Sequence, residues 1–305
     1  MTLAAGDLTT PQNVATWLAN PPALPNTLLT QLVTRMSNMI YSKLSRAKFY
    51  SQTITRVFDG VGNYQLVLPD YPVTSVVQVQ MGAANIPPTP LPTLALNNSI
   101  SYPNSFGYGY RFVPWSGNLP GENAVLEFVN GFFWPGVQNI KVTYVAGYLI
   151  QNEAWIVPAT PYEIIVNQPS GTWSADNGVY YSVNGVAGGK LTPVAASPMT
   201  GQYIPPPDAN PGLYTFSMGD AAANLLINYS YIPSDVEEAC IQMVAERYSY
   251  RNRVGEISKS LGGQETMRWM RGGRGPGALA GLPPEVVALL EPYITVVPPA
   301  LGAPV

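Results

Sequence analysis

The chain contains no histidine and one cysteine, Cys240. Without histidine there is no Ser-His-Asp or Cys-His nucleophile arrangement, no imidazole general base and no ordinary transition-metal ligand set. One cysteine also excludes a disulfide within the chain, and its place on an apolar helical stripe reads as a small buried hydrophobe. Glu237 and Glu238 are adjacent, so on a helix they point about 100° apart and cannot face each other as an acid/base pair. In a first helical turn they compensate the helix dipole instead. The glycine-rich Gly185–Lys190 (GVAGGK) has glycine spacing one residue short of a phosphate loop, and Leu191 stands where Ser or Thr must hold Mg²⁺. What these exclusions leave to an enzyme is a pair of carboxylates brought together from distant segments, the weakest of the functional readings. No cofactor is expected.

Charge is more informative than chemistry. Arg35 to Arg56 holds five basic residues and no acid, and Arg247 to Arg274 holds seven basic and two acidic. Between them, Val57 to Glu246 carries three basic and thirteen acidic residues, so the nearly neutral total conceals a sign asymmetry that speaks of association surfaces. The second basic stretch also carries Tyr248, Tyr250 and Trp269. Three readings stay open for it: a solvated helix end with a linker, a protein-docking strip, and a DNA-binding segment. Met267, Arg268, Trp269, Met270 and Arg271 lie between glycines and use the residue types that dominate interface hot spots.

The elements that position these residues begin with Ile232–Ser260. Ser234 is a capping type, Asp235, Glu237 and Glu238 suit a first turn, and Val236, Cys240, Met243 and Val244 recur at helical spacing. The spacing predicts a helix of about 20 residues ended by Gly255. At the N-terminal end, Thr9 or Thr10 before Pro11 starts a short helix with Val14, Trp17 and Leu18 on its apolar face. Asn26 then caps a longer helix with Lys43, Arg46 and Lys48 at its end.

Period two takes over at Thr53–Phe58, Tyr64–Leu68 and Val73–Met81, joined by a Gly60–Asn63 turn and a Pro69–Pro72 corner, and returns at 124–129 and 140–146 around a Trp134-Pro135-Gly136 turn. Residues 82–121 read as a proline-rich loop packed by its own aromatics, local packing being favoured over glycan or base stacking. In 149–231, short β-type runs alternate with turn clusters such as Ala175-Asp176-Asn177-Gly178. The expected fold class is α+β: an α-helical core with a small antiparallel sheet and an inserted all-β domain. The expected domains are 1–148 with 232–295 as a discontinuous core, 149–231 as the insert, and 296–305 as a tail. MTLAAGDLTT has neither a basic n-region nor an apolar h-region, and no apolar run approaches about 18 residues, so neither a signal peptide nor a membrane span is expected.

Taken in order, DLTTPQNVATWL, LLTQLVTRMSNMIYSKL, DYPVTSVVQV, WPGVQNIKVTYVAGY and IPSDVEEACIQMVAERYSYRNRVGEISKSLGG resemble the head-tail connector family of tailed bacteriophages, the adaptor beneath the portal. The resemblance covers somewhat over half of the chain. It departs from the family where 83 residues, Leu149 to Tyr231, separate the VTYVAGY strand from the PSDVEEA helix, and where the 82–121 loop is expanded. It implies a non-enzymatic structural protein of the virion neck, assembled in the host cytoplasm. Its partners would be further copies in a ring, typically of twelve, the portal protein, and a tail or stopper protein, with double-stranded DNA passing transiently through the channel and no membrane involved.

By position, Met267, Arg268, Trp269, Met270, Arg271, Arg274 and Tyr293 would dock on the portal. Lys43, Arg46, Lys48, Arg247, Arg251 and Arg253 would lie at subunit contacts or near the channel. Phosphate neutralisation multiplied around a ring would stall ejection, so most of the basic groups in 247–274 are expected to pair with acidic portal or neighbour-subunit surface, leaving a mixed or acidic channel wall. The alternative is a virion binding or decoration module whose β insert recognises glycan, host surface or another structural protein.

Overall fold

The computed structural model describes residues 6–18, 27–46, 48–87, 93–94, 100–101, 109–113, 125–207, 210–250, 258–261, 265–268 and 282–294. Two helices open the chain. α1 (Pro11–Trp17) starts at Thr10, whose hydroxyl accepts from the Asn13 amide at 3.1 Å, with Pro11 in the first turn where its missing N–H costs nothing. It buries Val14 and Ala15 but leaves Trp17 exposed, against expectation for the aromatic. α2 (Thr27–Leu44) buries Leu29, Val33, Met36, Ile40, Tyr41 and Leu44 along one stripe.

In the next unit, built on Ser51–Tyr148, the elements among the described residues are all strands. Its strands are β1 (Gln52–Gly60), β2 (Gln65–Val67), β3 (Val73–Met81), β4 (Ala84–Ile86), β5 (Thr93–Leu94), β6 (Ile100–Ser101), β7 (Gly109–Val113), β8 (Val125–Val129) and β9 (Gly136–Ala146). β1, β9, β3 and β4 form one antiparallel sheet in that order, and β2, β8 and β7 a second; β5 and β6 pair as a small ribbon. The sheets are joined where the Tyr110 amide donates to the Pro87 carbonyl (3.1 Å), and they share a core of Leu68, Val79, Leu126, Phe128, Phe133, Ile140, Val142 and Tyr144. The Gly60–Asn63 turn does not make β1 and β2 a hairpin. β1 pairs with β9 and β2 with β8, in registers such as Phe58↔Ile140 and Leu66↔Leu126.

The remaining strands belong to the unit that also holds the helices, Met1–Tyr50 with Leu149–Thr295. They are β10 (Leu149–Ile156), β11 (Glu163–Ile165), β12 (Gly171–Val183), β13 (Val186–Lys190), β14 (Thr192–Pro193), β15 (Gln202–Ile204), β16 (Leu213–Phe216) and β17 (Asn224–Pro233). Two four-stranded sheets, β10-β17-β12-β13 and β11-β16-β15-β14, enclose Val157, Ile164, Val166, Val179, Leu191, Tyr203, Tyr214, Phe216, Leu225, Ile227 and Tyr229. Ala175-Asp176-Asn177-Gly178, which reads as a turn, lies inside β12, where the register with β17 shifts between Asp176 and Gly178. The Gly178 amide bonds to Asp176 Oδ1 at 3.0 Å, so the cluster makes a bulge that keeps the strand going.

α3 (Ser234–Tyr250) follows β17 directly. Strand pairing continues to Pro233, so Ile232 and Pro233 end a strand and do not open the helix. The expected stop at Gly255 lies outside the described residues. Beyond it are a hairpin of β18 (Ser258–Leu261) and β19 (Glu265–Arg268), then α4 (Pro284–Leu290), which buries Val286 and Leu290 and packs on α3. Among the described residues no helix is long and apolar enough to cross a membrane.

An α-helical core with a small sheet is therefore not the architecture: among the described residues strand outweighs helix, and the four helices stand beside several antiparallel sheets. The helical periodicities are real but short, while turn-like clusters sit within or between paired strands and add to the β content. The division expected from the sequence set 149–231 apart from a core of 1–148 and 232–295. Compactness cuts the chain differently, grouping 149–295 with the N-terminal helices and separating 51–148.

Candidate interaction surfaces

The end of α2 gathers several of the cations singled out in the sequence. The chain leaves the helix through Ser45, in left-handed conformation at φ 52°, and the Arg46 amide returns to the Tyr41 carbonyl at 3.2 Å. Arg46 is buried, 7% exposed, with its guanidinium carbon 4.6 Å from the centre of the Phe49 ring. Lys48 places Nζ 4.3 Å from the centre of the Tyr41 ring, and Tyr41 donates to the Gly6 carbonyl at 2.8 Å. These are cation–π contacts that fix the two side chains against their own unit. Lys43 is half-buried in the last turn and Arg247 is exposed near the end of α3. Arg251 and Arg253 lie outside the described residues.

The proposed portal-docking residues are only partly in view. The backbone places Met267 and Arg268 in β19, opposite Lys259 and Ser258. Trp269, Met270, Arg271 and Arg274 lie outside the described residues. Tyr293 does not reach away from the fold: its ring meets Phe49 edge-on at 5.8 Å between centroids, and its hydroxyl is 3.5 Å from Asp235 Oδ2. The part of the C-terminal segment that includes α4 is packed on the chain's own helices.

Carboxylates inside each unit have hydrogen-bond donors. In the 51–148 unit Asp70, at the Pro69–Pro72 corner, takes two bonds from Arg56 (2.9 and 3.0 Å) and one from Tyr144 (2.7 Å). Near the helices, Glu237 receives Thr9 and Asn13 from α1 and its approach, at 3.1 and 2.8 Å on Oε1, and Thr172 of β12 on Oε2. It thus ties three elements together besides facing the helix dipole. In the β layers Asp176 receives Tyr203 (2.5 Å), Tyr214 (3.1 Å) and the Gly178 amide. Glu153 receives Tyr229 (2.5 Å), Trp155 (2.6 Å) and the Asn167 amide (2.9 Å). Asp220 receives Tyr181 (2.5 Å) and the Gly201 amide.

Burial, reinforced by these bonds, pushes the hydroxyls of Tyr144, Tyr203, Tyr214 and Tyr229 well above the ordinary tyrosine range, and that of Tyr181 up to about 12. Burial likewise pushes the Cys240 thiol up to about 12. These groups stay protonated at neutral pH, and the tyrosines serve as donors. Among the described residues, no cluster of three or more potential metal ligands occurs.

Sequence reasoning missed a surface. At one end of the 51–148 unit, the β1–β2 turn and the β8–β9 turn hold each other through Gly62 N–H to Phe133 O (3.0 Å) and Phe133 N–H to Asn63 O (2.9 Å). The Asn139 side chain accepts from the Gly60 amide and donates to Trp134 O, each at 2.8 Å, locking the second turn to the first. Phe133 points into the core and meets Phe128 edge-on at 5.2 Å. Its neighbours face water: Val61 is 64% exposed, Tyr64 57%, Phe132 47%, Trp134 60% and Val137 83%. The readable signal was Gly131-Phe132-Phe133-Trp134-Pro135-Gly136, a turn carrying three rings where one is enough to anchor it.

No protein-family model matches the chain, and no curated protein matches it at a significant level.

Proposed function

We propose that this chain is a structural head-tail adaptor of a tailed-phage neck, acting as a ring on the portal that leaves a channel for DNA and a platform for a tail or stopper protein. The observation that carries the reading is the surface: large apolar side chains stand in water on rigid turns, the arrangement of a protein completed by partners. The interior carboxylates support a non-enzymatic role, since hydroxyl, amide, indole and guanidinium donors occupy them. The resemblance of the ordered sequence phrases to connector proteins supplies the identity of the partners, and the virion neck, reached from the host cytoplasm, follows as the location.

The test is docking. Purified protein mixed with portal-bearing, tail-less particles should add a ring of uniform stoichiometry. Joint replacement R268A, W269A and R271A should abolish docking while the melting curve of the isolated protein is unchanged. Docking that survives the replacement refutes the portal assignment.

A further inference from the structure

We infer that the aromatic end of the 51–148 unit is a knob that seats on a methionine-lined surface of a second copy of this chain, in a head-to-tail contact. The inference rests on the reading of the chain as a ring-forming protein and names the contact that would build the ring. The knob is Val61, Tyr64, Phe132, Trp134 and Val137, all exposed on the two cross-bonded turns. Three rings and two valines at these exposures present on the order of 500 Å² of apolar surface, a large share of the roughly 800 Å² per partner that a stable contact buries. The turns need no ordering on binding, because backbone and Asn139 bonds already hold them.

The receiving surface lies on the β layers of 149–233. Met199 and Met218 are 72% and 73% exposed, among the most exposed large apolar side chains described. The loops that carry them abut, since a Cβ on Gly219 would lie 2.0 Å from Thr200 Oγ1. Asp220, itself buried, pins them by accepting from Gly201 N–H at 3.2 and 3.1 Å and from Tyr181 at 2.5 Å. Two exposed, flexible thioethers on loops held together in this way suit aromatic rings, to which sulfur is attracted and around which methionine adapts.

Neither surface carries a cation, and the charge bordering the knob is the exposed Asp59, which accepts from the Gln138 amide at 2.6 Å. Residues 60–64, 130–137, 197–203 and 216–219 contain no Lys, Arg, Asp or Glu. An anionic bilayer or a nucleic acid would require cations there; an equally uncharged apolar face does not. Because knob and receiver are different surfaces, their contact is heterologous, and repetition of one such contact closes a ring or extends a filament.

Two variants test it: W134S with V137S, which removes the knob, and M199E with M218E, which removes the receiver. All four side chains are exposed, and each variant should melt like the parent. By native mass spectrometry and sedimentation the parent should assemble and each variant alone should be monomeric. An equal mixture should give a one-to-one heterodimer and nothing larger, because each variant retains one half of the contact. Parent-like assembly of either variant, a mixture that stays monomeric, or a parent that is monomeric at its highest soluble concentration overturns the inference. Portal capture on the same samples judges the adaptor reading separately. A ring without portal affinity leaves this contact standing, and monomers captured by portal do the reverse.

Discussion

Replacing Asp176 with alanine tests whether the carboxylate–tyrosine groups hold the β layers together. Asp176 takes three hydrogen bonds, from Tyr203, Tyr214 and the Gly178 amide. Both tyrosines are fully buried, and the Tyr214 oxygen already accepts from Trp173 Nε1 at 3.2 Å, so its one proton has Asp176 as its acceptor. Removing the carboxylate strands two buried hydroxyls and an amide at about 1–3 kcal/mol each. Asp176 is only half-buried and water reaches part of the vacated space, which places the loss near the lower end, about 3 kcal/mol. For a unit of this size that is a fall in Tm of roughly 10 °C.

The assay is urea and thermal unfolding followed by circular dichroism, run as a double-mutant cycle with Y203F and Y214F. In the phenylalanine background no hydroxyl remains to be stranded, so the same Asp176→Ala change should cost only about 1 kcal/mol. A loss below about 1 kcal/mol in the parent, or equal losses in both backgrounds, refutes the assignment of Asp176 as the acceptor that holds this core.

Alkaline stability follows from the same residues. Tyr41, Tyr144, Tyr203, Tyr214 and Tyr229 have hydroxyls raised by burial, so their contribution to stability is complete below the ordinary tyrosine pKa of about 10 and is lost as pH rises from there toward the folded values. The share of tyrosinate absorbance that these five buried rings contribute should therefore rise in one cooperative step together with unfolding; early independent titration of the buried rings would contradict their placement. Cys240 is buried, its thiol pushed up to about 12, with Sγ 3.6 Å from Ser37 Oγ. A disulfide exchange reagent at pH 8 should label it only in denaturant, and rapid stoichiometric labelling of folded protein would place it elsewhere. Gly60→Ala would put a Cβ 1.7 Å from the Trp134 carbonyl oxygen, forcing the two turns apart. We expect a loss of about 2 kcal/mol and of the knob's self-association, read by calorimetry and sedimentation, whereas a parent-like melt would show the turns to be loosely held.

What the sequence disclosed was local. Thr10 and Pro11 announce α1, the apolar steps from Leu29 to Leu44 announce α2, and Asp235 with Glu237 marks the first turn of α3. These rest on groups within one or two helical turns, so neighbouring residues contain the whole argument. Strand partners do not work that way. Gln52 pairs with Ala146 and Gly171 with Pro233 across long separations, and nothing near Gly60 reveals that β1 and β2 diverge into different sheets. Glu237 shows the same limit at one residue: dipole compensation is legible from its position, but its bonds to Thr9, Asn13 and Thr172 required the fold. Among the cations, Arg46 and Lys48 were legible as positive charge at a helix end. Their commitment to Phe49 and Tyr41 was not, because a cation over an aromatic ring looks in sequence like a cation free to meet a partner.

The exposed turn at 131–137 inverts a familiar inference, that an aromatic run in a β protein marks core. Of the three consecutive rings on this turn, Phe133 is drawn under Phe128 and buried, while Phe132 and Trp134 are exposed. The close approach of Gly60 to the Trp134 carbonyl and the Asn139 bonds then hold them there. Polar residues at those two places would favour solubility, so under the contact proposed above their aromatic character is what the second copy covers.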